Sequence, residues 1–146
     1  MKEIKRITAL FFISLLLLLV GCEEGGNEID GKKPADVKSI AITMIAKSSA
    51  NPVFESAKIG AIKTAESISE KYSKLDVTID WQTPNNESAS EQAEIIRNAV
   101  KNGTKAIIVS CSDEDTLTQA INYAVENGIA VITFDSDAPN SKRFAF

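Results

Sequence analysis

No histidine occurs anywhere in the chain. That absence removes Ser-His-Asp and Cys-His catalysis and the usual zinc sites, which depend on an imidazole. Cysteine is scarce: Cys22 and Cys111 are the only two, too few for a disulfide framework. Cys111, beside Ile107, Ile108 and Val109, reads as a small buried residue. No apolar run approaches the roughly 20 residues of a helical bilayer span. The longest, Ile7 to Val20, has 14 residues and is broken by Thr8 and Ser14. Basic residues are outnumbered, 16 Lys+Arg against 20 Asp+Glu, so a nucleic-acid partner is not expected. Neither G-x-G-x-x-G nor a Walker motif is present to cradle a phosphate. The G-x-S-x-G elbow of hydrolases is missing as well. These gaps argue against an enzyme, and no cofactor or metal is expected.

What is present begins at the N-terminus. Lys2, Lys5 and Arg6 precede the apolar run, and a small residue, Gly21, closes it. Basic, apolar and small segments in that order are the pattern of a secretory signal peptide, here residues 1–21. Leu19-Val20-Gly21-Cys22 resembles the lipobox of bacterial lipoproteins, in which the cysteine thiol is lipidated and becomes the new N-terminus. The resemblance implies a chain anchored outside the cytoplasmic membrane through Cys22, without spanning it. The processed chain would carry 13 Lys+Arg against 19 Asp+Glu, a net charge of −6. Residues 22–36 have no periodicity and little to bury, and read as a flexible tether.

Beyond the tether the pattern is regular. Ser39–Ile45 reads as a strand, and Asn51-Pro52 opens a helix, Asn as the cap and Pro in the first turn. Phe54, Ala57, Ala61, Ala65, Ile68 and Tyr72 give that helix one apolar face. Gly60 inside it suggests close packing on a sheet. Val77–Trp81 alternates as a half-wet strand, and Ser88-x-x-Glu91 resembles a capping box at the start of the next helix. Lys105–Ser110 and Ile129–Asp135 are apolar strands separated by a helix opened by Ser112–Asp115. Ile96, Ala99, Val100, Asn102 and Gly103 recur as Ile121, Ala124, Val125, Asn127 and Gly128, an offset of 25. Strands alternating with helices predict an α/β fold: an open parallel sheet with helices on both faces. The third and fourth strands read as covered on both sides and the second as an edge, which favours the order 2-1-3-4.

In such a sheet ligands bind beyond the carboxyl ends of the strands. Those ends carry Ala46–Asn51, Trp81–Asn86, Ser110–Asp115 and Asp135–Asp137. Carboxylates, amides, hydroxyls and aromatic rings suit a neutral polyhydroxylated ligand. Trp81 reads as packing or, less simply, as a stacking platform. Asp113, Glu114 and Asp115 read as helix N-terminal acids complementing the dipole, with a calcium site as the alternative.

Asn51-Pro-Val-Phe54 with Lys58-Ile-Gly60-Ala61, then Asn102-Gly103-x-Lys-Ala-Ile, then Asn127–Pro139 carry a family resemblance. Residues 37–146 are similar to the first lobe of bacterial periplasmic sugar-binding proteins of the ribose/galactose-binding type, a type I periplasmic-binding-protein lobe. The resemblance implies a lipid-anchored, extracytoplasmic receptor that delivers a carbohydrate to an ABC importer through its permease. It assigns Asn51, Phe54 and Asp135 to the ligand, with Ser136 and Asp137 as further candidates. Two departures put ribose itself in doubt. Val53 stands where ribose-binding members have a first aromatic, and Ser136 where they have Arg. Arg143–Phe146 reads as the opening of a fifth strand with no second lobe after it, hence a truncated product or a fragment. An intact affinity of about −8 kcal/mol, halved, leaves millimolar binding or weaker. Micromolar calorimetric titration by residues 22–146 alone is therefore not expected.

Three other readings compete. The same domain could serve as a sugar sensor for a chemoreceptor or histidine kinase. An extracytoplasmic enzyme would have to work through carboxylates alone, such as Asp135 and Asp137. A DNA-binding repressor needs a helix-turn-helix where the lipobox stands, which discards it.

Overall fold

A computed structural model of the protein describes residues 36–146. The expected signal peptide of residues 1–21, the expected lipidation site Cys22 and almost all of the expected tether of residues 22–36 lie outside the described residues. Among those described, no helix is long and apolar enough to cross a membrane.

Among the described residues four strands and three helices alternate: β1 (Lys38–Ile45), α1 (Pro52–Lys71), β2 (Leu75–Trp81), α2 (Ala89–Lys101), β3 (Ala106–Val109), α3 (Glu114–Glu126) and β4 (Ala130–Thr133). The sheet is parallel throughout, in the order β2-β1-β3-β4. This is the expected order, with the alternating strand β2 at one edge. Beyond β4, Ala145 bridges Ile132 in parallel, with Phe144 N–H donating to Val131 O at 2.7 Å.

Local chemistry sets the helix ends. Asn51 Oδ1 accepts the Val53 N–H and Pro52 fills the first turn of α1. The Ser88 hydroxyl accepts the Glu91 N–H at the start of α2, and the Asp113 carboxylate accepts the Thr116 N–H at the start of α3. The 25-residue repeat is visible in the backbone. Gly103 and Gly128 adopt φ of +80° and +79°. Gly103 donates to Val100 O and Thr104 to Ala99 O, while Gly128 donates to Val125 O and Ile129 to Ala124 O. Both helices thus stop by the same left-handed glycine motif, which L side chains adopt only with strain.

Side-chain parity divides the sheet into two faces. Ile45, Ile107, Val109 and Val131 form the main core with Ala93, Ile96 and Ala99 of α2 and Leu117, Ala120, Ile121 and Ala124 of α3. On the other face α1 lies over Ile42, Val77, Ile79 and Ile108, leaving an open apolar hollow of about 200 Å³.

Three expectations need correction. The fourth strand is not covered on both faces: Val131 and Thr133 are buried, while Ala130 and Ile132 are exposed. The cause is that α1 packs mainly over β2 and meets the β4 end through Phe54 against Phe134, leaving Ala130 and Ile132 uncovered. Gly60 does not mark close packing, because a Cβ placed there meets nothing within 4 Å. Tyr72 lies past the end of α1 and is half exposed, so it is not part of the apolar face.

Candidate functional site

The carboxyl ends of β1, β3 and β4 bring Lys47, Ser110 and Asp135 together. Asp135 is the only described non-glycine residue with positive φ, at 60°. Ser136 N–H donates to Phe134 O across it at 2.6 Å, closing a tight three-residue turn. The turn is tied to β3 on both sides: Phe134 N–H donates to Val109 O and Cys111 N–H to Ser136 O. A left-handed non-glycine residue costs about 1–2 kcal/mol, least for Asp and Asn. Here that conformation sends the carboxylate back toward its neighbours.

Asp135 Oδ2 accepts the Ser110 hydroxyl at 2.8 Å and the Ser136 hydroxyl at 3.4 Å, and Lys47 Nζ stands 3.5 Å away. The carboxyl pKa falls below its ordinary 3.8. The Ser110 hydrogen bond is the main cause, partial burial opposes it, and the Lys47 charge adds to it. The Asp135 side chain keeps 45% of its surface exposed, so an anionic acceptor is fixed in place and still open to a ligand.

Phe54 is 5% exposed and meets Phe134 edge to face, ring centroids 6.3 Å apart. That contact docks the first turn of α1 beside the Asp135 turn. Asn51, Phe54 and Asp135 therefore stand along one rim. Most of the Phe54 ring serves packing, and Asn51 spends its side-chain oxygen on the helix cap.

Asp137 stands differently. Its Oδ1 accepts the Thr133 hydroxyl and the Ala138 N–H, each at 2.7 Å, and its Oδ2 pairs with Arg143 at 2.6 Å. The Asp137 and Arg143 side chains are 21% and 18% exposed. Arg143 also donates to Pro139 O. Both carboxylate oxygens are committed to holding the chain that leaves β4. Ser136 contributes its carbonyl to the β3 tie and its hydroxyl to Asp135.

Trp81 sits under Lys58 Nζ at 5.7 Å, a packing arrangement on α1. Asp113 is the α3 cap, and the described residues contain no cluster of three or more metal-ligating side chains. Cys111 is buried, which together with the nearby Asp137 charge pushes its thiol up to about 11.

Sequence reasoning did not single out Lys47, Ser110 or Phe134. Lys47 and Ser110 lie at named strand ends and Phe134 in the expected fourth strand, but a lone Lys, Ser or Phe carries no spacing signal. Only the left-handed turn at Asp135 shows what they converge on.

Comparison with known proteins identifies the fold and the family. Residues 40–146 match the model of the periplasmic binding protein domain family. Among solved structures, the chain is similar to LsrB from Clostridium saccharobutylicum in complex with AI-2, at 35% identity and a TM-score of 0.57 over 67% of this chain and 28% of that one. It is also similar to an ABC transporter solute-binding protein from Burkholderia graminis in complex with D-arabinose, at 30% identity and a TM-score of 0.64 over 74% and 35%. A third, the arabinose-binding protein AraP from Geobacillus stearothermophilus, has 27% identity and a TM-score of 0.66 over 75% and 35%. The chain spans about a third of the length of these proteins. Its sheet order and helices match one lobe of a type I periplasmic binding protein, and the chain belongs to the periplasmic binding protein domain family.

Proposed function

We propose that this member of the periplasmic binding protein family forms one wall of an extracytoplasmic receptor site for a small polyhydroxylated ligand, a sugar or a sugar-like molecule. The family is a class of binding proteins, and two of the similar structures hold D-arabinose and AI-2. The observation that carries the reading is the Asp135 carboxylate. It is aimed by a strained turn, kept ionised by Ser110, and left partly open on the rim that also holds Lys47, Asn51 and the Phe54–Phe134 pair. A carboxylate accepts from ligand hydroxyls, the ammonium of Lys47 donates to ligand oxygens, and an aromatic pair borders the site with apolar surface. The apolar hollow under α1 offers no comparable donor set.

The receptor is anchored by lipid at Cys22, hands its ligand to an ABC permease, and closes on it between two lobes, of which residues 37–146 form the first. These three statements rest on the lipobox pattern and the family resemblance.

Backbone amide NMR of the chain, titrated with D-arabinose, D-galactose and AI-2, tests the site. One wall alone is expected to bind at about 1 mM or weaker, some −4 kcal/mol. Shifts confined to Lys47, Asn51 and Ser110–Asp137 support the reading. Shifts centred on the hollow under α1, or none with any of these ligands at saturating solubility, refute it. Mass spectrometry of the cell-derived protein tests the anchor, and an unmodified Cys22 thiol in a cytosolic chain removes it.

A further inference from the structure

Gln92 lies in the first turn of α2 and is fully buried. Nothing about an amide favours that location unless its polar atoms are satisfied. Three backbone partners satisfy them. Nε2 donates to Ala46 O at 2.9 Å and to Ser110 O at 2.8 Å, and Oε1 accepts the Ser112 N–H at 3.0 Å. One side chain thereby joins the loop leaving β1 to the loop leaving β3.

The residues it ties are those that set the rim. Ala46 directly precedes Lys47, and its own N–H is held by the Thr83 hydroxyl at 2.9 Å. The Ser110 peptide is held from its other end by its N–H to Ile45 O, while its hydroxyl donates to Asp135. Within these loops the sheet ladder has ended, so the Gln92 amide takes over the job of keeping the two strand ends in register.

We infer that Gln92 is a positioning residue of the ligand rim: by joining Ala46, Ser110 and Ser112 it holds Lys47 and the Ser110 hydroxyl against the Asp135 carboxylate. The inference rests on the rim being the ligand site for its biological use, but the mechanical claim is separate and is tested separately. An amide is required at position 92 because only two donors and an acceptor on one planar group meet two carbonyls and an N–H together. Glutamate repels both carbonyls, and an apolar side chain leaves all three groups unpaired in a dry site.

Two measurements decide it. In the unsubstituted chain, hydrogen exchange should find the Ser112 amide strongly protected, whereas that of its exposed neighbour Asp113 exchanges quickly. Equal rates overturn the inference without any variant. In Gln92→Met, of similar volume, a carboxyl-carbon NMR titration of Asp135 should move up toward the ordinary carboxylate value as Ser110 and Lys47 drift away. A lowered Tm alone would show only a structural role; an unchanged Asp135 titration in folded Gln92→Met overturns the inference. If Asp135 titrates higher in the variant yet the unsubstituted chain shows no ligand-induced shifts, the clamp stands and the ligand reading falls. If ligand shifts occur and Gln92→Met leaves both them and the titration intact, the clamp falls and the ligand reading stands.

Discussion

Asp135 and Asp137 are two residues apart in sequence and both stand at the end of β4, yet Asp137 spends both carboxylate oxygens inside the fold while Asp135 stays half exposed, open to the ligand on the reading proposed above. Replacing Asp137 by Ala removes the acceptor of the Thr133 hydroxyl and the Ala138 N–H and strips Arg143 of its partner. All three hydrogen bonds end on an ionised carboxylate, and such bonds contribute about 1.5 kcal/mol or more each. Arg143 keeps its bond to Pro139 O and some access to water, which lowers the sum. The expected cost is about 3 kcal/mol. For a domain of this size that lowers Tm by roughly 12 °C or more. Asp137→Asn, which keeps an acceptor for Thr133 and Ala138, should cost about half as much and retain the ligand-induced shifts. Asp135→Asn should behave in reverse. Its exposed ion pair with Lys47 contributes about 1 kcal/mol or less, and Asn tolerates the left-handed turn, so Tm should barely change while the ligand shifts vanish. Thermal unfolding by circular dichroism and the amide NMR titration read the two effects independently. If Asp137→Ala melts with the unsubstituted chain, or if Asp135→Asn still responds to ligand at Asn51 and Ser110, the division of labour is wrong.

Other expectations follow from single features. Gly60→Ala should raise stability by about 0.4–1 kcal/mol in urea unfolding, since the added methyl meets no neighbour and the unfolded chain loses freedom; a loss of stability would mean that this helix face is packed. Asp113→Ala should lower Tm through the lost α3 cap, and calcium should change the melting of neither form; a calcium-dependent Tm in the unsubstituted chain restores the cation alternative. Native Cys111 should resist iodoacetamide at pH 8, as judged by peptide mass spectrometry, because its thiol titrates near 11, and should react once unfolded. The Asp135 carboxyl should titrate below 3.8. The sign follows from linkage: a depressed folded-state value adds stability above the unfolded pKa, and that stability is lost as pH falls through the folded one. Ligand shifts should accordingly persist at pH 4 and fade only in stronger acid.

The sheet order, the helix caps and the two glycine stops were legible because each is written in a few adjacent residues. Asn51-Pro52, Ser88 and the Asn-Gly pairs act through the nearest backbone groups, and the same 25-residue spacing produces the same hydrogen bonds twice. Coverage of β4 was less legible. An apolar run records what a strand can bury, while its neighbours in space decide what is buried, and α1, packed mainly over β2, leaves Ile132 exposed. The site divides along the same line. A carboxylate at the end of a buried strand marks the rim, so Asp135 could be placed there from sequence, while its assignment to the ligand is what the family resemblance implies. Its separation from Asp137 depends on the sign of one φ angle and on an arginine six residues downstream of Asp137, neither of which has a spacing rule. Gln92 is the extreme case, a polar residue on the inward face of an amphipathic helix. Hydrophobic patterning treats such a residue as noise, although three backbone groups from two loops depend on it. A buried amide with all its donors spent on strand-end loops is therefore a better pointer to a rim than any of the exposed residues that line it.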